Sequence, residues 1–140
     1  MNSSPMTFRR KLANQDLRLT AHVCTIPSAI VTQAIASAGS DAVIIDMEHG
    51  AIDYSSAHAM IAATAGTSCA PLVRVTENDA AQVKRTLDLG AEGIVFPMIR
   101  SASDAKRAVA SLRYPPNGTR GFGPFLAHSR WDTSLLDYRE

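Results

Sequence analysis

The chain is punctuated at a regular interval, and that interval restricts its fold more than any other feature. About four times over, a short apolar run is followed by a loop and then an amphipathic stretch, in units of about 25 residues. The first run spans Leu19 to Thr25 and is broken by Pro27; Ser28 then offers an N-cap to a helix that runs through Ala38 and stops at Gly39. The second, Ala42 to Asp46, contains Val43, Ile44 and Ile45 without polar alternation, as a strand covered on both faces should. After a loop from Met47 to Asp53, Ser55 or Ser56 is expected to cap a helix from Ala57 to Ala65, with Gly66 at its end. A third strand is expected over Pro71 to Val75, followed by a helix capped by Asn78 or Asp79, striped by Val83 and Leu87 and closed at Gly90. The fourth strand is expected over Gly93 to Met98. Its helix starts at Ser101 or Ser103 and reaches about Leu112, where Arg113-Tyr-Pro-Pro-Asn-Gly118 breaks it.

Strand, helix and strand in alternation with short loops imply parallel pairing, because parallel neighbours need a crossover element and the helices supply it. Two α/β architectures fit: a small doubly wound sheet, or the first half, about four β/α units, of a (β/α)8 TIM barrel. The end of the chain favours the barrel. Thr119 to Glu140 brings Gly, Pro, Trp131 and charged residues but no fifth strand to finish a small sheet, and a full barrel takes about 250 residues. The expectation is one domain over residues 1–140, an N-terminal half-barrel. Residues 1–8 form a flexible leader, and 117–140 a loop or helical tail that precedes a missing fifth strand.

Composition narrows the function. With 14 Lys+Arg against 13 Asp+Glu, a formal charge of +1 and no basic stripe, nothing draws in nucleic acid or anionic lipid. Apolar runs stay well short of the roughly 18 residues of a membrane span, and Met1 to Pro5 has no secretory pattern. The expectation is a soluble, cytoplasmic protein without nucleic-acid or membrane partners. Cys24 and Cys69 lack metal-knuckle spacing and sit in or beside apolar runs, where thiols pack.

In parallel α/β folds, functional groups collect on loops leaving the carboxyl ends of the strands. The second strand ends in Asp46-Met47-Glu48-His49-Gly50, two carboxylates and an imidazole within one short loop. Asp46 closes an apolar run and needs a partner if buried. Bonded to the His49 imidazole, it would fix the tautomer and leave the other nitrogen as a base. Equally, Asp46 could bond loop amides, with His49 solvated. Arg74 lies inside Pro71-Leu-Val-Arg-Val75, where a guanidinium must face an anion or pair with a carboxylate. It is either a bidentate clamp for a substrate carboxylate or a structural ion pair with Asp46 or Glu48. His22, in the first strand where it can point into a barrel interior, and His58, near a helix start, read as structural. His128 accompanies Arg120, Gly121 and Gly123 in a Gly-rich tail that lacks the strand and helix of a phosphate loop. Met98 can line a pocket or simply pack.

Ile45-Asp-Met-Glu-His49, Pro71-Leu-Val-Arg74, Val95-Phe-Pro-Met98 and Arg113-Tyr-Pro-Pro-Asn-Gly-Thr-Arg-Gly-Phe-Gly123, in that order and at those intervals, resemble the HpcH/HpaI aldolase family. The resemblance implies a (β/α)8 barrel and a metal-dependent carbon-carbon lyase that splits a 4-hydroxy-2-oxo acid into pyruvate and an aldehyde. It implies that His49 is the acid/base group, that Asp46 orients it, and that Arg74 binds pyruvate and steadies its enolate. Glu48 would lie in the second coordination shell of a divalent cation, Mg²⁺, Mn²⁺ or Co²⁺. The cation's own ligands, a Glu and an Asp on later strands, are expected beyond residue 140, so no metal ligand is expected in this chain. Val23 stands where close aldolases carry a bulky aromatic near the substrate pocket. Lys11, Lys84 and Lys106 fall on expected helices or the leading segment, which favours a metal over a Schiff base. A homo-oligomer is implied. The alternative is a catalytically inactive truncated half-barrel that self-associates or joins a partner chain.

Overall fold

The computed structural model describes residues 6–123, 127–131 and 133–139. Helix α1 (Phe8–Ala13) precedes β1 (Ala21–Cys24), α2 (Ala29–Ser37), β2 (Ala42–Asp46), α3 (Tyr54–Ala62), β3 (Ala70–Arg74), α4 (Ala80–Asp88), β4 (Gly93–Val95) and α5 (Ala102–Leu112). A four-residue helix α6 (Ala127–Arg130) and a 3-10 turn (Asp137–Arg139) follow. The strands form one parallel sheet in the order β1-β2-β3-β4. Because the order never reverses, right-handed crossovers place successive helices on the same face. A doubly wound sheet needs a reversal; this α/β sheet is the opening half of a barrel.

The register defines the two faces. Val43, Ile45 and Val73 are buried with Ala36 of α2 and Ala57, Met60 and Ile61 of α3, so these strand positions face the helices. Alternation then turns Ile44, Asp46, Leu72 and Arg74 to the opposite, interior face. Paired positions make rows across that face: Val23, Ile44, Leu72 and Gly93 in one, and Asp46, Arg74 and Val95 in the next toward the strands' carboxyl ends. Such rows are the side-chain layers that fill a barrel. A Cβ at Gly93 would lie 3.1 Å from Leu72 Cδ2, so the absent side chain makes room for Leu72.

Helix ends follow side-chain capping. Ser28, Asp79 and Ser101 accept the amides of Val31, Gln82 and Asp104, and Gly39 and Gly90 take positive φ of 88° and 98° just after α2 and α4. In three places the structure departs from the sequence reading. Helix α3 is capped by Asp53, which accepts the Ser56 amide at 2.7 Å, so it starts earlier than a cap at Ser55 or Ser56 would allow. β4 ends at Val95, short of Met98, whose φ of 54° is incompatible with an extended strand. The leader is ordered from Phe8 onward as α1; residues 1–5 lie outside the described part.

Helix α1 bridges the amino ends of three strands. Lys11 Nζ donates to Asp41 Oδ1 at 3.0 Å and to the Ser68 carbonyl at 2.9 Å, and the Phe8 amide donates to the Glu92 carboxylate. Asp41, Ser68 and Glu92 each lie just before β2, β3 or β4. Of the tail, Arg120 is 6% exposed and bonds Asp88 at 2.7 Å, with its guanidinium 4.6 Å from the Tyr114 ring centroid. Arg120 therefore anchors the segment after α5 onto the end of α4. Cys24 and Cys69 belong to the core, at the carboxyl end of β1 and just before β3. Among the described residues no helix is long and apolar enough to cross a membrane.

Candidate active site at the carboxyl rim

β2 and β3 run in register with Asp46 opposite Arg74, so both side chains leave the sheet on its interior face at the carboxyl end. Asp46 is 0% exposed. Its carboxylate accepts Arg74 Nε at 2.9 Å on Oδ1 and Arg74 Nη2 at 2.6 Å on Oδ2, a bidentate pair. Oδ1 also accepts the amides of Glu48 at 3.0 Å and His49 at 3.2 Å. These bonds fold residues 46–49 into a turn in which the side chain substitutes for a backbone acceptor. The Gly50 amide returns to the Asp46 carbonyl at 3.1 Å, and the Met47 amide continues the β2–β3 ladder to the Arg74 carbonyl at 3.0 Å.

Gly50 is a requirement of this loop that the residue pattern did not single out. A Cβ there would stand 2.5 Å from the Asp46 carbonyl oxygen and 2.8 Å from that of Thr25, so only glycine lets the turn lie against the end of β1.

The side-chain dyad between Asp46 and His49 is not formed. Asp46 meets His49 through the backbone amide, and its remaining capacity goes to Arg74. The imidazole faces Glu48 instead: His49 Nε2 lies 3.6 Å from Glu48 Oε2, and the His49 side chain is 65% exposed. The same Glu48 oxygen is 3.4 Å from Arg74 Nε. Glu48 thus stands between the imidazole and the guanidinium, a position unreadable without the register. The Arg74 bond, followed by the two loop amides, holds the Asp46 carboxyl below the usual carboxylate range against the opposing effect of burial. Asp46 in turn holds Arg74 in its charged form.

Val23 lies on the interior face, one row below this rim, and is 57% exposed. Met98 follows β4 and is exposed beside the rim, in the left-handed region. His22 pairs with Val43 and so belongs to the helix-side face rather than the interior; its Nδ1 lies 2.8 Å from Ser40 Oγ. His58 is on α3 and His128 on α6, neither on the rim. Lys11 is committed to the opposite end of the sheet, and Lys84 and Lys106 project from α4 and α5.

Among the described residues no three His, Cys, Asp or Glu side chains are gathered to hold a metal ion. Asp46 is committed to Arg74 and to two loop amides, and Glu48 already faces two cationic or cationisable groups. The described residues do not by themselves fit the divalent cation that the sequence resemblance implies. What they assemble is a guanidinium held by Asp46 and an exposed imidazole on one rim.

Residues 25–136 match the HpcH/HpaI aldolase/citrate lyase family, and the chain belongs to it. It is 44% identical over 114 residues to the hydroxypyruvate/pyruvate aldolase of Paraburkholderia phytofirmans, covering 81% of this chain and 42% of that protein. It is 39% identical over 106 residues to the 2-dehydro-3,6-dideoxy-6-sulfogluconate aldolase of Pseudomonas putida, covering 76% and 42%. The crystal structure of an HpcH/HpaI aldolase from Desulfitobacterium hafniense DCB-2 superposes with a TM-score of 0.84 at 27% identity, over 96% of this chain and 52% of that one. The chain therefore spans about half the length of the relatives it matches.

Proposed function

We propose that this chain carries the proton-transfer and anion-binding side of an aldolase site that splits a 4-hydroxy-2-oxo acid into pyruvate and an aldehyde. The observation that carries the reading is the placement of His49 and Arg74 on one rim, at the carboxyl ends of adjacent strands, with Glu48 between them. Arg74 binds the 2-oxo acid through its carboxylate and keto oxygen. His49 removes the proton from the 4-hydroxyl. The C3–C4 bond then breaks, its electrons pass through C2 to the keto oxygen, and the aldehyde leaves. Arg74 favours the resulting enolate over the ketone, so it acts on the transition state more than on the substrate. Protonation at C3 yields pyruvate. Val23, on the row below, faces the space left for the aldehyde.

On this reading residues 1–140 are one domain, the N-terminal half of a barrel, and 117–140 lead toward a fifth strand. The Mg²⁺, Mn²⁺ or Co²⁺ ion is liganded by residues outside positions 1–140, and the protein is a cytoplasmic homo-oligomer. The test is aldol formation from pyruvate and an aldehyde, with each metal in turn, by the full-length gene product that carries these residues together with the metal ligands. His49→Ala should lower the rate by about 10² to 10⁴; an unchanged rate would overturn its role. A second reading, a non-catalytic half-barrel that self-associates, is favoured by the unpaired edges of β1 and β4 and the exposed interior position of Val23. Sizing the chain in solution tests it, since a folded monomer contradicts self-association.

A further inference from the structure

We propose that Asp46 is the positioning residue that aims Arg74 at its anion, rather than the group that tunes the His49 imidazole; the inference rests on the aldolase reading of the rim. An ionised carboxylate offers about four acceptor sites and a guanidinium five donors. Asp46 accepts four bonds: two from the Glu48 and His49 amides and two from Arg74. Oδ1 carries three of these bonds and Oδ2 one, and no ring nitrogen is among the donors.

The same inventory shows what Arg74 has left. Asp46 takes the side-on fork of Nε and Nη2, and Glu48 Oε2 lies beyond Nε at 3.4 Å. Nη1 and the second Nη2 hydrogen form the end-on fork, and among the described residues neither Nη1 hydrogen has an acceptor. The Arg74 side chain is 28% exposed, so this end of the group reaches open space. A planar anion with two oxygens in one plane, such as the carboxylate or the carboxylate and keto oxygen of a 2-oxo acid, matches that fork. A guanidinium clamped on one edge loses little further freedom when the other edge binds, which is how preorganisation raises affinity.

Asp46→Asn tests the assignment cleanly. With its oxygen in the Oδ1 place, the Asn side chain still accepts both loop amides, but its NH2 then opposes the Arg74 Nη2 donor. The loop and the Nε bond are kept, and the Nη2 half of the clamp is lost. Calorimetric binding of pyruvate in the presence of Mg²⁺ and steady-state aldol kinetics, both on the full-length gene product, provide the readouts. Asp46→Asn should weaken pyruvate binding by about tenfold or more and raise KM accordingly, with a smaller change in kcat. In an Arg74→Ala background the Asn substitution should have no further effect on pyruvate binding, while in a His49→Ala background it should keep its full effect.

A loss confined to kcat that persists without Arg74 and vanishes without His49 would overturn the proposal in favour of an imidazole partner. If Arg74→Ala itself leaves pyruvate binding unchanged, the aldolase reading of the rim fails. If Arg74→Ala weakens binding and Asp46→Asn does not, only the present assignment fails. Should Asp46→Asn not fold, Arg74→Lys serves: it keeps the charge but offers no second fork, so undiminished pyruvate affinity would overturn the assignment.

Discussion

Replacing Arg74 by Met removes the counter-ion of a carboxylate that is 0% exposed, and the consequence can be followed through pH. Removing one partner of a buried pair costs about 3–5 kcal/mol, most of it the penalty of leaving the other charge buried. Two of the four bonds to Asp46, the amides of Glu48 and His49, survive the substitution. The expected loss therefore sits at the lower end, about 3 kcal/mol at neutral pH, a large share of the roughly 5–15 kcal/mol available to a domain. In the native protein the Asp46 carboxyl lies below its ordinary value of 3.8, chiefly through Arg74. That depression stabilises the fold above 3.8 and is lost as pH falls through the folded value. In Arg74→Met the main lowering contribution is gone while burial, which raises the value, remains. The variant takes up a proton at a higher pH than the native chain, and once it is neutral its buried carboxyl is no longer an unpaired charge. The stability gap should consequently narrow as the pH falls from about 7 to about 4. Urea unfolding followed by circular dichroism at both ends of that range measures it. A gap of the same size at the two pH values, or one below about 1 kcal/mol at neutral pH, would refute the argument that Arg74 neutralises a buried charge.

Two further perturbations probe the loop and the helix behind it. Gly50→Ala puts a Cβ 2.5 Å from the Asp46 carbonyl oxygen; the turn must shift, at a cost of about 1–3 kcal/mol, and aldol turnover should fall with stability, as parallel melting and rate measurements would show. Asp53→Ala should cost about 1 kcal/mol through loss of the α3 cap, whereas Ser55→Ala should be close to neutral; equal melting temperatures for the two variants would contradict the assigned cap.

Those features that follow from local chemistry are legible in the residues. Val43 to Ile45 reads as a buried strand, and glycines 39 and 90 take the positive φ that follows a helix's C-cap, whereas Gly66 lies three residues beyond the α3 C-cap Ala63. The caps at Ser28, Asp79 and Ser101 follow equally from side-chain oxygens preceding an apolar stripe. At α3 three oxygen-bearing residues compete, and pattern alone favours the serines, while the backbone enters the helix at Asp53. Helix α1 has no buried residue and hence no apolar stripe to announce it; its signals are the Thr7 side chain capping the Arg10 amide and the distant partners of Lys11. Asp46, Glu48, His49 and Arg74 are identifiable as one cluster because polar groups at the ends of apolar strands need partners. Which group pairs with which depends on the alignment of β2 against β3, a long-range property that sequence spacing along one strand does not encode.

The bond between Asp46 and Arg74 also bears on how the sheet chooses its alignment. Moving β3 by a single residue against β2 would carry Arg74 to the helix-covered side, among Val43 and Ile45, turn Val73 to the interior, and strand an ionised aspartate there. Aliphatic strands of similar shape tolerate such slips; a charged pair in which each member lies on one side only does not. The charged pair thereby proofreads the assembly of the strands that carry it, so substitutions that break it should also widen the range of misaligned states reached during folding.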